Sequence, residues 1–122
     1  MSGRRAIGIG CGSDGTVDDV LALIYAAAGT QFDPGTKLAT LDRRADIAAK
    51  VADALKLELM LFAADRLAAV PGVASPSART KAAVGTPSVA EAAALAALGD
   101  GARLVVPRRT GRRCTCAVAA LP

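Results

Sequence analysis

Val17, Val20, Leu21 and Ile24 recur at i, i+3, i+4 and i+7, the spacing that puts apolar side chains on one face of an α-helix. Thr16 stands just before them with Asp19 three residues on, a variant of the capping box, and Gly29 closes the run. Upstream, residues 5–10 read as a short buried strand that ends in glycines. Downstream, strand patterns at 37–41 and 58–62 bracket a helix over 44–55 with Ile47, Val51, Ala54 and Leu55 on one side. A short helix follows around 65–69.

The stretch 70–77 carries Pro71, Gly72 and Pro76 and is loop at least in part. Ser75 and Pro76 look like the cap and first turn of another short helix ending near Gly85. Ser88 with Glu91 forms a capping box that opens an alanine-rich helix over 89–98, and 99–101 ends it. Two last strands, 103–106 and 114–119, are joined by a polar, arginine-rich link over 107–113. That link is short enough for an antiparallel hairpin.

Strands alternating with helices predict a three-layer α/β/α fold. The sheet is expected to be mixed and mainly parallel, with about five strands, ending in the antiparallel hairpin. No linker and no internal repeat interrupts the pattern, so residues 1–122 read as a single domain.

Composition narrows the core. Hydrophobic residues make up 52% of the chain but aromatics only 2%, so burial falls to Ala, Val, Leu and Ile, and modest stability is expected. No apolar stretch reaches the roughly 18 residues of a membrane span. The longest candidate, 20–28, is interrupted by Tyr25, and no signal-peptide pattern opens the chain. The three cysteines are odd in number and badly placed for a disulfide framework, which fits a reducing cytoplasm.

Charge is uneven. The net +4 comes from residues 101–122, where Arg103, Arg108, Arg109, Arg112 and Arg113 meet no acid, while the rest of the chain is nearly balanced. Such a cluster suits an anionic partner, whether a polycarboxylate, a phosphate, nucleic acid or an acidic protein surface, or else is a solvated hairpin with no ligand.

Three constellations offer chemistry. Gly10, Gly12 and Gly15 spell G-x-G-x-x-G between a strand and a helix, where backbone N–H groups approach an anion. As a dinucleotide fingerprint it lacks the usual acid: Asp42 stands 27 residues beyond Gly15. A structural glycine turn is the other reading. Cys11 in that loop has no histidine anywhere in the chain to serve as its base, so an inert thiol is the simpler account. At 85–91 the Ser88–Glu91 cap explains the sequence locally, while Thr86 and Ser88 are also placed to meet a ligand carboxylate at a helix end. Cys114 and Cys116 share one strand face, a poor zinc site without histidine, and no transition-metal centre is expected.

These segments together resemble the CobE/CbiG C-terminal domain family of cobalamin biosynthesis. The resemblance lies in Gly8-Ile9-Gly10-Cys11, in Leu38-Ala39-Thr40-Leu41-Asp42, in Gly85-Thr86-Pro87-Ser88-Val89-Ala90-Glu91-Ala92-Ala93-Ala94-Leu95, and in the closing hairpin with Thr115-Cys116-Ala117-Val118-Ala119. It covers nearly the whole chain, in order. Two places depart from the family pattern: Arg43-Arg44-Ala45-Asp46 stands where a lysine and an acidic pair are usual, and Arg112-Arg113 replaces a Gly-Asn.

The resemblance implies a protein that acts on or binds a corrin-ring (precorrin) intermediate, together with other enzymes of the cobalamin pathway, rather than nucleic acid or a membrane. In the longer CbiG proteins the whole hydrolyses cobalt-precorrin-5A, opening a lactone and releasing acetaldehyde; in the CobE branch the domain stands alone. The length of 122 residues resembles the stand-alone form. Corrin intermediates carry many carboxylates, which suit arginine and helix N-termini. The candidate binding residues are Gly10, Cys11, Gly12, Ser13, Thr86, Ser88, Arg108 and Arg109. Lactone hydrolysis would call on Asp42 or Glu91 as base, with Ser13 and Thr86 donating to an oxyanion. A carrier that hands on the intermediate is the non-catalytic alternative. No cofactor is expected.

Overall fold

A computed structural model describes residues 4–11, 15–29, 32, 35–68, 89–99 and 101–121. Within it, β1 (Arg5–Cys11), β2 (Lys37–Leu41), β3 (Glu58–Phe62), β4 (Arg103–Thr110) and β5 (Cys114–Ala120) form one sheet in the order β3-β2-β1-β5-β4. The described helices are α1 (Val17–Ala28), α2 (Ala45–Leu55), α3 (Ala64–Ala68) and α4 (Val89–Leu98). A 3-10 turn, Asp42–Arg44, leads from β2 into α2. The expected helix near Ser75–Gly85 falls outside the described residues.

The α/β class and the mixed sheet agree with the sequence pattern. β1–β2 and β2–β3 pair in parallel, while β1–β5 and β5–β4 pair antiparallel. Only β5 runs against the other four strands. The hairpin is therefore not simply appended at the edge, because its second strand sits beside central β1. Burial explains the order. β5 is buried along most of its length, whereas β4 is exposed at every second residue and throughout its last four. The apolar strand takes the inner place and the arginine-bearing one the rim.

β4 is also longer than its sequence suggested. The link expected over 107–113 shrinks to residues 111–113: the strand runs on through Pro107 and Arg108, and pairing resumes at Arg109 and Thr110. Proline lacks the N–H a central strand needs, but an edge strand or a bulge tolerates it. Both conditions hold here: β4 is an edge, and its register shifts between Val106 and Arg109.

The two faces of β1 meet different helices. Ile7 and Ile9 join Leu38, Cys116 and Val118 beneath Val20, Leu23 and Ile24 of α1 and Val51 of α2. Thr40 lies on β2 with its hydroxyl donating to the Ile9 carbonyl at 2.7 Å, so the polar atom is satisfied although fully buried. Between these positions stand Ala6, Gly8 and Gly10, facing α4. That helix is buried from Ala90 to Leu95 without regard to face, as expected of a helix that is apolar all round. Thr16 caps α1 as predicted: its hydroxyl accepts from the Asp19 N–H at 3.1 Å, and Asp19 accepts from the Thr16 N–H at 3.3 Å. At the end of α2, Lys56 takes the left-handed conformation (φ 59°) that glycine usually supplies, and the Lys56 and Leu57 N–H groups close the last turn.

Gly8 is the point of closest approach. A Cβ placed there would collide with the Ala90 carbonyl oxygen and stand 2.7 Å from the Ala94 nitrogen. Both obstacles are backbone, so no rotamer change relieves them. Gly8→Ala is expected to cost about 3 kcal/mol or more, the upper range of overpacking, read as a fall in urea midpoint at constant m. Lys56→Gly is expected to raise stability by about 0.5–1 kcal/mol by the same measurement, since glycine carries no Cβ penalty at positive φ.

Candidate functional site

Four strands running one way bring their ends to one edge of the sheet. Cys11, Leu41, Phe62 and Thr110 close β1 to β4 there, and β5 begins there at Cys114. In open α/β sheets this edge is the usual ligand-binding side. The start of α4 lies against it, because Val89 and Ala90 border Gly10 within 3.8 Å of where its Cβ would be. The hydroxyl of Thr115, the strand partner of Gly10, would be only 2.8 Å from that Cβ. Hence any side chain at position 10 would displace Thr115 at the mouth.

Among the sequence candidates, Gly10, Cys11, Asp42, Glu91, Arg108 and Arg109 fall on described residues, while Gly12, Ser13, Thr86 and Ser88 lie outside them. Asp42 is exposed and opens the 3-10 turn directly after β2. Arg108 and Arg109 are exposed on β4 rather than held in a loop. Arg109 stands opposite Cys116 across the β4–β5 ladder. Glu91, by contrast, is 1% exposed, and its Oε2 accepts the Arg108 N–H at 3.1 Å. That N–H belongs to the irregular stretch of β4, so the carboxylate supplies a partner where the ladder is interrupted. A buried carboxylate needs such donors.

Arg44 stood out in the sequence only as part of a departure from the family pattern, not as a candidate site residue. Its Nε donates to the Cys11 carbonyl at 2.9 Å and ties the end of β1 to the turn after β2. It also lines a cleft of about 290 Å3 with Thr16, Asp46 and Lys50 at the start of α1. The signal was present in the Arg43-Arg44 pair that follows the β2 strand, but only the fold brings it to β1. A second cavity, about 220 Å3, lies at the far end of α1 between Phe32, Val105 and Val118, away from the strand ends.

The thiols differ in setting. Cys114 and Cys116 are buried, and burial pushes each up to about 11, with negative charge on Cys11 and Asp19 adding to the effect at Cys114. At Cys116 the neighbouring Cys114 also raises it, and Arg109 works in the opposite direction. Neither is set up as a nucleophile at neutral pH. Cys11 is half-buried at the strand end. Among the described residues no group of three acidic, cysteine or histidine side chains is arranged to hold a metal ion, and no helix is long and apolar enough to cross a membrane.

A search of curated proteins finds no match. Among solved structures, CobE, a protein from the cobalamin biosynthetic pathway, superposes with a TM-score of 0.80 at 30% identity, over 100% of this chain and 93% of its own. Cobalamin biosynthesis protein chiG from Agrobacterium tumefaciens is 37% identical, with a TM-score of 0.69 over 96% of this chain and 98% of its own. A cobalamin biosynthesis protein G homolog from Sulfolobus solfataricus shares the fold at 22% identity and a TM-score of 0.73; 98% of this chain matches 37% of that one. The sequence itself matches the family described as Cobalamin synthesis G C-terminus over residues 5–119, and the chain belongs to that family.

Proposed function

We propose that this chain binds a precorrin, a corrin-ring intermediate of cobalamin biosynthesis, at the strand-end edge and that residues 1–122 act there as one unit in the cytoplasm. The observation that carries the reading is the convergence, in a cobalamin-family fold, of Gly10, the start of α4 and the arginine-rich hairpin on one edge. Corrin precursors are polycarboxylates, and guanidinium groups pair with carboxylates in planar, bidentate fashion. Arg108 and Arg109 are the exposed cations we assign to this contact, and Gly12, Ser13, Thr86 and Ser88 complete the site on sequence grounds. Other cobalamin-pathway enzymes are the partners that would deliver or receive the ligand.

Hydrolytic lactone opening is the second reading, favoured by Asp42, whose exposed position at the end of β2 suits a base that activates water. Glu91 fits that role less well because its carboxylate already holds the Arg108 N–H inside the protein. Incubating the purified protein with cobalt-free and cobalt-containing precorrins, followed by mass analysis, separates the readings. Acetaldehyde release with a matching mass change marks hydrolysis, binding without mass change marks a carrier, and absence of binding to every precorrin overturns both.

Replacing Arg108 and Arg109 together with Gln is expected to weaken precorrin binding at least about tenfold at low salt. The loss should shrink as salt rises, since exposed charge pairs are screened over roughly 10 Å at 0.1 M. Circular dichroism should be unchanged, because both side chains are exposed on an edge strand. Equal affinity of the two proteins in low salt would mean that the arginines are only solvated surface.

A further inference from the structure

Cys11 and Cys114 are 103 positions apart in the chain and directly opposite each other in the β1–β5 ladder. Opposed residues of an antiparallel pair have Cα atoms about 4.5 or 5.5 Å apart, depending on whether they share hydrogen bonds, and their side chains leave by the same face. A disulfide needs a Cα separation of about 4.4–6.8 Å. Both ladder spacings therefore fall within its range. Cys116 has no such partner: it stands opposite Ile9 on β1 and Arg109 on β4. Its distance to Cys114 is two strand residues, about 6.6 Å, with side chains parallel rather than converging.

We propose that Cys11 and Cys114 are a modification site, a thiol pair that closes to a reversible cross-strand disulfide under peroxide or a small-molecule disulfide. With a peroxide ROOH, half-buried Cys11 reacts first. Its thiolate attacks the outer oxygen, the O–O bond breaks, Cys11 becomes a sulfenic acid, and the alcohol ROH leaves. The Cys114 thiolate then attacks the Cys11 sulfur. The S–S bond forms and hydroxide departs as water after taking up a proton. Two thiols lose two electrons and two protons in all, and the peroxide is reduced. With glutathione disulfide the Cys11 thiolate breaks its S–S bond, giving a mixed disulfide and one reduced glutathione, and the Cys114 thiolate then displaces the second.

The surroundings set the pace. Cys114 is buried, and it faces Cys11 on β1 and Asp19 on α1, both of which oppose its ionisation; Arg44 brings a cation to the Cys11 end through its bond to the Cys11 carbonyl, and Arg109 on β4 acts on Cys116. The closing step is accordingly slow near neutrality and accelerates with pH up to the Cys114 value of about 11. The bridge, once formed, fastens the last residue of β1 to the first of β5, one position outward from Gly10 and Thr115.

The reduced 122-residue chain, treated with hydrogen peroxide in one arm and glutathione disulfide in the other, tests this by non-reducing peptide mapping. Trypsin leaves Cys11 in the fragment 6–37 and both other cysteines in 114–122, so fragmentation at Thr115 assigns the partner. The expected product links Cys11 to Cys114 and leaves Cys116 as a thiol alkylated only after denaturation. Its rate of closure should rise about tenfold per pH unit between pH 7 and 9, following the thiolate fraction. Cys116→Ser should retain the bridge, and Cys114→Ser should stop at a Cys11 sulfenic acid that dimedone traps. A bridge to Cys116, disulfide-linked dimers alone, a persistent glutathione adduct on Cys11, or three unchanged thiols would each overturn the proposal. The mapping of the unsubstituted chain decides the question even where a serine variant does not fold.

Discussion

The contact of α4 with the bare backbone of β1 at Gly8 constrains everything built around it. A helix normally rests on side chains, and here it rests on peptide groups, with the Ala90 carbonyl and the Ala94 nitrogen against the space a Cβ would occupy. That proximity requires small residues on both sides. The helix supplies alanines at 90, 92, 93 and 94, and the strand supplies glycine at 8 and 10. On the opposite face Ile7, Ile9, Leu38 and Val118 meet α1 and α2, while on the α4 side Leu67, Met60 and Phe62 pack with Ala92 and Ala93.

The same contact sets the site. Because α4 sits low on β1, its first turn reaches the strand ends and brings Glu91 under β4. The Arg108 backbone is thereby anchored to a buried carboxylate while the residue itself remains exposed. Arg44 does the corresponding job on the other flank, fixing the Cys11 carbonyl from the turn after β2. Two long-range polar links thus hold the rim of the site, one on each side of β1.

Elements governed by local pattern were legible in the sequence. The helix from Val17 was announced by its spacing and by Thr16 and Asp19, both of which act as the cap. The strand at 58–62 coincides with its apolar run. Long-range placement was not legible. The polar, arginine-rich run over 107–113 read as a link, since nothing in the sequence reveals that β4 lies at the edge and carries a bulge. The cysteines looked badly placed for pairing because their spacing along the chain says nothing about register, and register alone puts Cys11 opposite Cys114. Glu91 lies in the first turn of α4, while Ser88, its partner in the expected capping box, falls outside the described residues; the bond of Glu91 to Arg108 depends on how α4 crosses the sheet.

Pro107 and its neighbours have a wider consequence. An open sheet edge offers unpaired peptide groups to any passing strand and invites association between molecules. β4 interrupts its outer rim with an imino acid, two shifts of register and a run of guanidinium charge. A second chain aligned along it would meet like charge and a broken hydrogen-bonding repeat. At the opposite edge, β3 offers only five residues, among them a charged Glu58. The features that interrupt β4 as a regular strand therefore also serve as its protection against aggregation.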